Sequence, residues 1–184
     1  AHLDDDELVH RLAAYLTDER GIVSHLALPS ESQLSMGDFI GLDQSPQPHF
    51  VAARRSGLPV WSETFLSALT DRMTAVLALP AGERTLIVEL ALDDLSHSLA
   101  DIGRAARTQP IVIDRSGRVI GHPDPLQAVR QENLRHLALV RRAIEGQSGS
   151  ERITLGGASQ LAQALPVAPI GWTVLVLQPT REVL

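Results

Sequence analysis

Two spacings of apolar residues alternate along the chain, one helical and one strictly alternating, and together they mark out its elements. Leu8, Leu12, Tyr15 and Leu16 recur at helical spacing behind the acidic start Asp4-Asp5-Asp6, which predicts an amphipathic N-terminal helix broken by Gly21. Ile22 to Leu28 reads as a strand that Pro29 ends. Ser30 to Pro48 shows neither spacing, apart from a weak strand near Gln33 to Met36, and so long an irregular stretch usually marks a functional segment. A short helix is expected over Phe50 to Arg55, closed by Gly57 and Pro59, and then strands over Val60 to Leu66, Met73 to Leu79 and Thr85 to Leu92. In the last of these Leu86, Val88, Leu90 and Leu92 share one face, and Ile87, Glu89 and Ala91 the other. The leucine face is the expected core.

Asp93-Asp94-Leu95-Ser96 offers a capped start to a helix running through Ile102. The stretch from Ile111 to Pro125, IVIDRSGRVIGHPDP, predicts a β-hairpin: a β-branched run, an Asp114 acceptor and a Gly117 for the turn, and a return through Val119 and Ile120. His122-Pro123-Asp124-Pro125 ends the pairing, because proline donates nothing to a ladder and restrains the residue before it. A helix should follow from about Leu126 to Glu145, with Val129, Leu137, Val140 and Ile144 among its apolar positions. Strands near Glu151 to Leu155, Leu161 to Val167 and Trp172 to Gln178 complete the chain, with Gly156-Gly157 as a hairpin turn. The element order of the first half recurs in the second, although the two share little residue identity.

A length of 184 residues with 44% hydrophobic residues supports one large domain or two small ones with genuine cores. All 16 basic residues are arginine, and 22 acidic residues bring the net charge to −6. This charge argues against nucleic acid or anionic lipid as a partner. The chain has no cysteine, which removes disulfides, thiolate metal sites and thiol catalysis. No run approaches the roughly 20 apolar residues that a spanning helix needs, and the start carries no signal-peptide pattern, as expected of an excised fragment.

The hairpin and HPDP phrase resemble the "ivD.sGrviahPdp" segment of the membrane-proximal half of Cache-type extracytoplasmic sensor domains. Ala143-Ile144-Glu145-Gly146 with Gly149, Pro166-Val167 with Ile170-Gly171-Trp172-Thr173-Val174, and Gln178-Pro179 resemble that family's later phrases in the same order. Gly41 to Phe50, GLDQSPQPHF, resembles the "GlDlSdrpyF" segment before the pocket helix of the distal half, and so brings in His49. The resemblance implies an α+β fold of two PAS-like modules in tandem, each an antiparallel sheet of about five strands flanked by helices, with an N-terminal helix. The division expected is residues 1–105, distal, and 106–184, proximal.

Candidate chemistry is concentrated in the first half. The seven histidines lack metal-ligand spacing, and Gly146-Gln147-Ser148-Gly149-Ser150 is not a nucleophile elbow, so no catalytic, metal or cofactor residue is assigned. Trp61-Ser62, after a helix with Arg54 and Arg55, resembles the family segment that begins the pocket strand. Guanidinium matches carboxylate in a planar fork and indole supplies an apolar wall, which suits a small organic anion. Glu89 and Asp93 lie off the leucine face, where a carboxylate needs a partner or water, and Asp93 could instead cap the following helix. His49, Arg54, Trp61, Ser62, Glu89 and Asp93 are thus the ligand-binding candidates. The function implied is a small-molecule sensor on the periplasmic or extracellular side of a bacterial membrane, from a membrane-anchored histidine kinase, diguanylate cyclase or chemoreceptor. Dimerisation through the N-terminal helix would go with it. The alternatives are a secreted or periplasmic hydrolase with a Ser/His/Asp site and a cytoplasmic PAS-type sensor.

Overall fold

The computed structural model describes residues 13–28, 37, 39–67 and 72–179. Contacts divide the chain into two compact units, Ala1–Ala91 and Leu92–Leu184. In the first, β1 (Ala13–Thr17), β2 (Val23–Ala27), α1 (Pro48–Ser56), β3 (Val60–Trp61), β4 (Phe65–Leu66), β5 (Met73–Ala81) and β6 (Arg84–Ala91) follow in order. All strands join one antiparallel sheet of order β2-β1-β6-β5-β3, with β4 also paired to β5. The second unit runs α2 (Asp93–Ala106), β7 (Gln109–Ile113), β8 (Val119–Gly121), α3 (Pro125–Arg130), α4 (Ala138–Ile144), β9 (Gly149–Leu155), β10 (Ala158–Val167) and β11 (Trp172–Pro179). Its sheet order, β8-β7-β11-β10-β9, is that of the first unit. The α+β architecture of two antiparallel sheets therefore agrees with the sequence reading. No helix among the described residues is long and apolar enough to cross a membrane.

Several expected elements need correction. Tyr15 and Leu16, assigned to an N-terminal helix, lie in β1, whose alternating burial and pairing to both β2 and β6 are those of an inner strand. The remainder of that expected helix, and with it the dimer contact, lies outside the described residues, as do residues 30–36 and 38 of the expected loop. Val60 to Leu66 is not one strand but two short pieces. The single helix after HPDP is two, because Gln131 takes a left-handed φ of 48° and the chain then bridges back from Asn133 to Arg118 before α4 begins. As a result Leu126 and Val129 are exposed, whereas Val140 is buried. In the second unit α2 packs on the β7–β8 hairpin.

The turns that start each sheet are the same structure. Asp18 accepts the backbone N–H groups of Arg20 and Ile22 at Oδ1, both at 2.9 Å, and Asp114 accepts those of Ser116 and Arg118 at 2.8 and 2.9 Å. Gly21 and Gly117 follow at φ 91° and 90°, and their carbonyls accept from the N–H groups of Gln44 and Leu134, each at 2.8 Å. Both glycines are also required sterically. A Cβ on Gly21 would meet the backbone of Ser45 at 2.9 Å, and one on Gly117 would meet Arg135 at 2.7 Å. Asp43 and Asn133 then accept from the backbone N–H two residues on, Ser45 and Arg135, at 2.8 and 2.9 Å.

Each sheet buries one face under the helix that follows this turn. In the second unit Ile111, Ile113, Leu134, Leu139, Val140, Ile153, Leu175 and Leu177 form that core, and α2 covers part of the other face through Leu95 and Leu99 against Val112 and Ile120. In the first unit the core is Tyr15, Val23, Phe50, Ala53, Val76, Ala78 and Ile87. This corrects the face assigned to β6. Thr85, Ile87 and Glu89 are buried, while Leu86, Val88 and Leu90 are half-buried.

Candidate functional site

Glu89 places a carboxyl group on that buried face, 4% exposed. Its register neighbours, Ala13 on β1 and Val76 on β5, point the same way because directly opposed residues in an antiparallel pair share a face. The Tyr15 hydroxyl donates to Oε1 at 3.4 Å and the Ser67 hydroxyl to Oε2 at 2.5 Å. Burial raises the Glu89 carboxyl above the usual range, and the hydrogen bonds from Ser67 and Tyr15 only partly oppose it. The Tyr15 phenol is pushed far up, first by burial and then by the adjacent Glu89 charge.

His49 enters the same core from the start of α1. Pro48 is the first helical residue, suited to a position where no N–H is needed, so His49 is fixed one residue into the helix beside buried Phe50. Its ring is 7% exposed and lies parallel to Phe65, with centroids 6.5 Å apart. Burial lowers its pKa, which keeps the imidazole neutral, and Nε2 has no hydrogen-bond partner among the described residues. Phe65 faces Thr74, on the same side of β5 as Val76.

The other sequence candidates go elsewhere. Trp61 pairs with Leu77, which pairs with Val88, so its side chain lies on the face opposite Glu89. Ser62 ties β3 to β5: its hydroxyl accepts from Val76 N–H at 2.9 Å and donates to the Glu63 carbonyl at 2.6 Å. Arg54 is exposed and donates to the Gly82 carbonyl at 2.9 Å in the β5–β6 turn, and Arg55 is exposed as well. Asp93 opens α2 in the second unit, and its side chain lies outside the described residues. Tyr15 and Ser67 are absent from the sequence candidates. Their signal was indirect: a carboxylate on a strand face must find donors, and only the register of β1 and β4 names them.

Because the sheets share order and turn, their registers can be matched strand by strand. Glu89 opposes Ala13 and Val76, as Leu177 opposes Gln109 and Ala162. Tyr15 opposes Ile87, as Ile111 opposes Leu175. Ser67 stands one step beyond the Leu66–Met73 pair, as Leu155 does beyond Thr154–Ser159. His49 is the second residue of α1, as Leu139 is of α4. The four polar residues Tyr15, His49, Ser67 and Glu89 thus correspond to Ile111, Leu139, Leu155 and Leu177, all members of one apolar cluster or packed against it. Thr85 and Thr173 also correspond, and in both the buried hydroxyl lacks a partner among the described residues, so the two units share that feature.

No family model and no curated protein matches the sequence. Solved structures do match. The ligand-binding domain of the Pseudomonas fluorescens chemoreceptor CtaA in complex with L-alanine is 18% identical with a TM-score of 0.65, over 98% of this chain and 78% of that one. The extracellular domain of the histidine kinase candidate rpHK1S-Z16 is 12% identical with a TM-score of 0.68, over 92% and 71%. The ligand-binding domain of Mlp24 with asparagine is 16% identical with a TM-score of 0.62, over 91% and 68%. The fold is that of double-Cache-type ligand-binding domains of chemoreceptors and histidine kinases.

Proposed function

We propose that this chain is the extracytoplasmic ligand-sensing domain of a membrane receptor, and that its first unit, membrane-distal, holds a small molecule beside Glu89, Tyr15, Ser67 and His49. The observation that carries this reading is the internal one. The second unit builds the same sheet, turn and helix with Leu177, Ile111, Leu155 and Leu139 at those places, so the fold itself has no need of the polar set. A buried carboxylate is costly when no counter-charge accompanies it, and such costs are retained where a site is used. The work of the domain is conformational: a ligand that prefers one state shifts the balance between states by its differential affinity, typically about 1–3 kcal/mol. A kinase, cyclase or chemotaxis effector on the far side of the membrane would read that shift.

The test is a thermal-shift screen of small polar metabolites, since CtaA and Mlp24 were solved with amino acids. A ligand at 100 times its Kd adds about 2.7 kcal/mol to the folded state. Hits should disappear in His49→Leu, which copies Leu139 and should fold. Hits that persist unchanged in that variant would place the site elsewhere.

A further inference from the structure

The second unit carries a polar set of its own. Counted from the shared turn, His122 stands where the first unit has Leu26, and the pairing shifts register between Val112 and Ile113 as it does between Leu16 and Thr17. Gln109 likewise stands where the first unit has Ala13. Leu26 packs against the core of its sheet. In its place the half-buried His122 ring is engaged at both nitrogens: Nδ1 accepts the backbone N–H of Asp124 at 2.9 Å, and Nε2 lies 2.7 Å from the side-chain amide of Gln109. A neutral imidazole that accepts at Nδ1 carries its proton on Nε2, so Nε2–H donates and Gln109 turns its oxygen to it. The tautomer is fixed from both sides.

The same turn seats the start of α3. Asp124 Oδ1 accepts from Leu126 N–H at 3.0 Å, and the Asp124 carbonyl accepts from the N–H groups of Gln127 and Ala128 at 3.0 and 3.4 Å. That carbonyl also lies 3.1 Å from His122 Nδ1. A proton on Nδ1 reverses its role. It no longer accepts from Asp124 N–H, and its new N–H reaches the Asp124 carbonyl in competition with Gln127 and Ala128. Few charges bear on the ring. Among the described side chains α3 and its cap bring Asp124 and Arg130, α2 brings exposed His97 and the Asp101–Arg104 pair and ends at exposed Arg107, and β7, β8 and β11 bring none. Burial holds the ring below the ordinary histidine range, and the Asp124 carbonyl and carboxylate partly oppose it.

We propose that His122 is a proton-operated latch: the neutral ring closes the turn that seats α3, and the imidazolium releases it, so that the second unit responds to acidity. No residue of the first unit takes part, and the latch stands or falls separately from the ligand reading above. In a sensing domain it supplies a second input, proton concentration, delivered through a helix whose Leu126 and Val129 are exposed.

The test is a pH titration of the isotope-labelled intact chain by NMR, from about pH 8 to about pH 5, the range in which an ordinary histidine charges. The His122 ring and the amides of Asp124, Gln127 and Ala128 should titrate together, with one midpoint below the ordinary histidine value. His122→Asn keeps a side-chain acceptor for the N–H two residues on but has no proton to gain, so these amide shifts should be lost while the rest of the spectrum is kept. His122→Leu, which copies Leu26, gives the same reading should the amide variant fold poorly. Gln109→Ala, which copies Ala13, removes the oxygen that holds the charged ring and should move the shared midpoint lower. The latch would be overturned by a ring that titrates while the α3 amides stand still, by amide shifts that persist in His122→Asn, or by a ring that stays neutral over the whole range.

Discussion

Replacing the polar cluster with the residues of its apolar counterpart should make the unliganded protein more stable, and the size of the effect can be worked from the contacts. Glu89→Leu alone gains about 1.5–3 kcal/mol from burying an aliphatic side chain. It also removes the acceptor that the Tyr15 and Ser67 hydroxyls now use, and an unmet buried donor costs about 1–3 kcal/mol. The single substitution should therefore come out near neutral or destabilising. Tyr15→Phe, Ser67→Ala and Glu89→Leu together remove the hydroxyls along with the charge, and exchanging a buried charged cluster for apolar residues of similar volume gains about 1–4 kcal/mol. Urea unfolding at neutral pH reads this directly. In a Trp172→Phe background Trp61 is the one remaining tryptophan, so its fluorescence follows the first unit. The expected result is a higher midpoint for the triple variant with an unchanged slope, above the sum of the three single effects. A triple variant less stable than its parent by about 1 kcal/mol or more, beyond the error of such extrapolations, would show that Glu89 is part of the scaffold, and the argument from the second unit would fail.

Four further outcomes are expected. Glu89 binds its proton more tightly folded than unfolded, so its penalty is absent below the ordinary glutamate pKa and grows as pH rises toward the raised folded value; the wild type should lose stability relative to Glu89→Gln across that window in urea titrations. His49 has the opposite sign, its pKa being lowered by folding, so stability falls on acidification from the ordinary histidine pKa down to the folded one, and His49→Leu should lose that slope. Gly21→Ala and Gly117→Ala should each cost about 1–3 kcal/mol by chemical denaturation, since both place a Cβ at positive φ against a neighbouring segment. Trp61→Ala should leave any ligand-induced thermal shift in place, because the β3 register puts the indole on the face away from Glu89; loss of the shift in a folded variant would contradict that geometry.

Local chemistry made much of the fold legible. Ile111 to Ile120 declared a hairpin because β-branched residues, an aspartate and a glycine fall at the spacing a turn needs, and Gly156-Gly157 did so for β9 and β10 at φ 59° and 80°. Non-local pairing hid the rest. Tyr15 and Leu16 fit a helix with Leu8 and Leu12 by spacing alone, and only the ladders to β2 and β6 make them a strand. The period of β6 was readable but its inner face was not, since leucine outranks threonine and glutamate on any hydrophobic scale, and here the polar side is the buried one. Glu89 was found as a residue needing partners. Trp61 shared its sequence neighbourhood but not its face, and Tyr15 and Ser67 reach it from residues 74 and 22 positions away. The repeat between Asp18-x-x-Gly21-x-Val23 and Asp114-x-x-Gly117-x-Val119 was present in the sequence, too sparse to separate from coincidence until the hydrogen bonds aligned it.

That shared turn sets a problem during folding. The hairpins β1–β2 and β7–β8 carry the same backbone hydrogen-bond pattern, so main-chain pairing alone would let β1 zip onto β11, or β7 onto β6, as readily as onto the native neighbour. Misassembly between like modules is a recurrent hazard of duplicated chains. Side chains must supply the discrimination, and the polar set stands where either mispairing would leave it without its native partners. A β7 strand docked on β6 would cover the Glu89 carboxylate with Ile111, and a β1 strand docked on β11 would bury the Tyr15 hydroxyl against Leu177. A chain whose two cores had been made alike would lose that difference between its like strands.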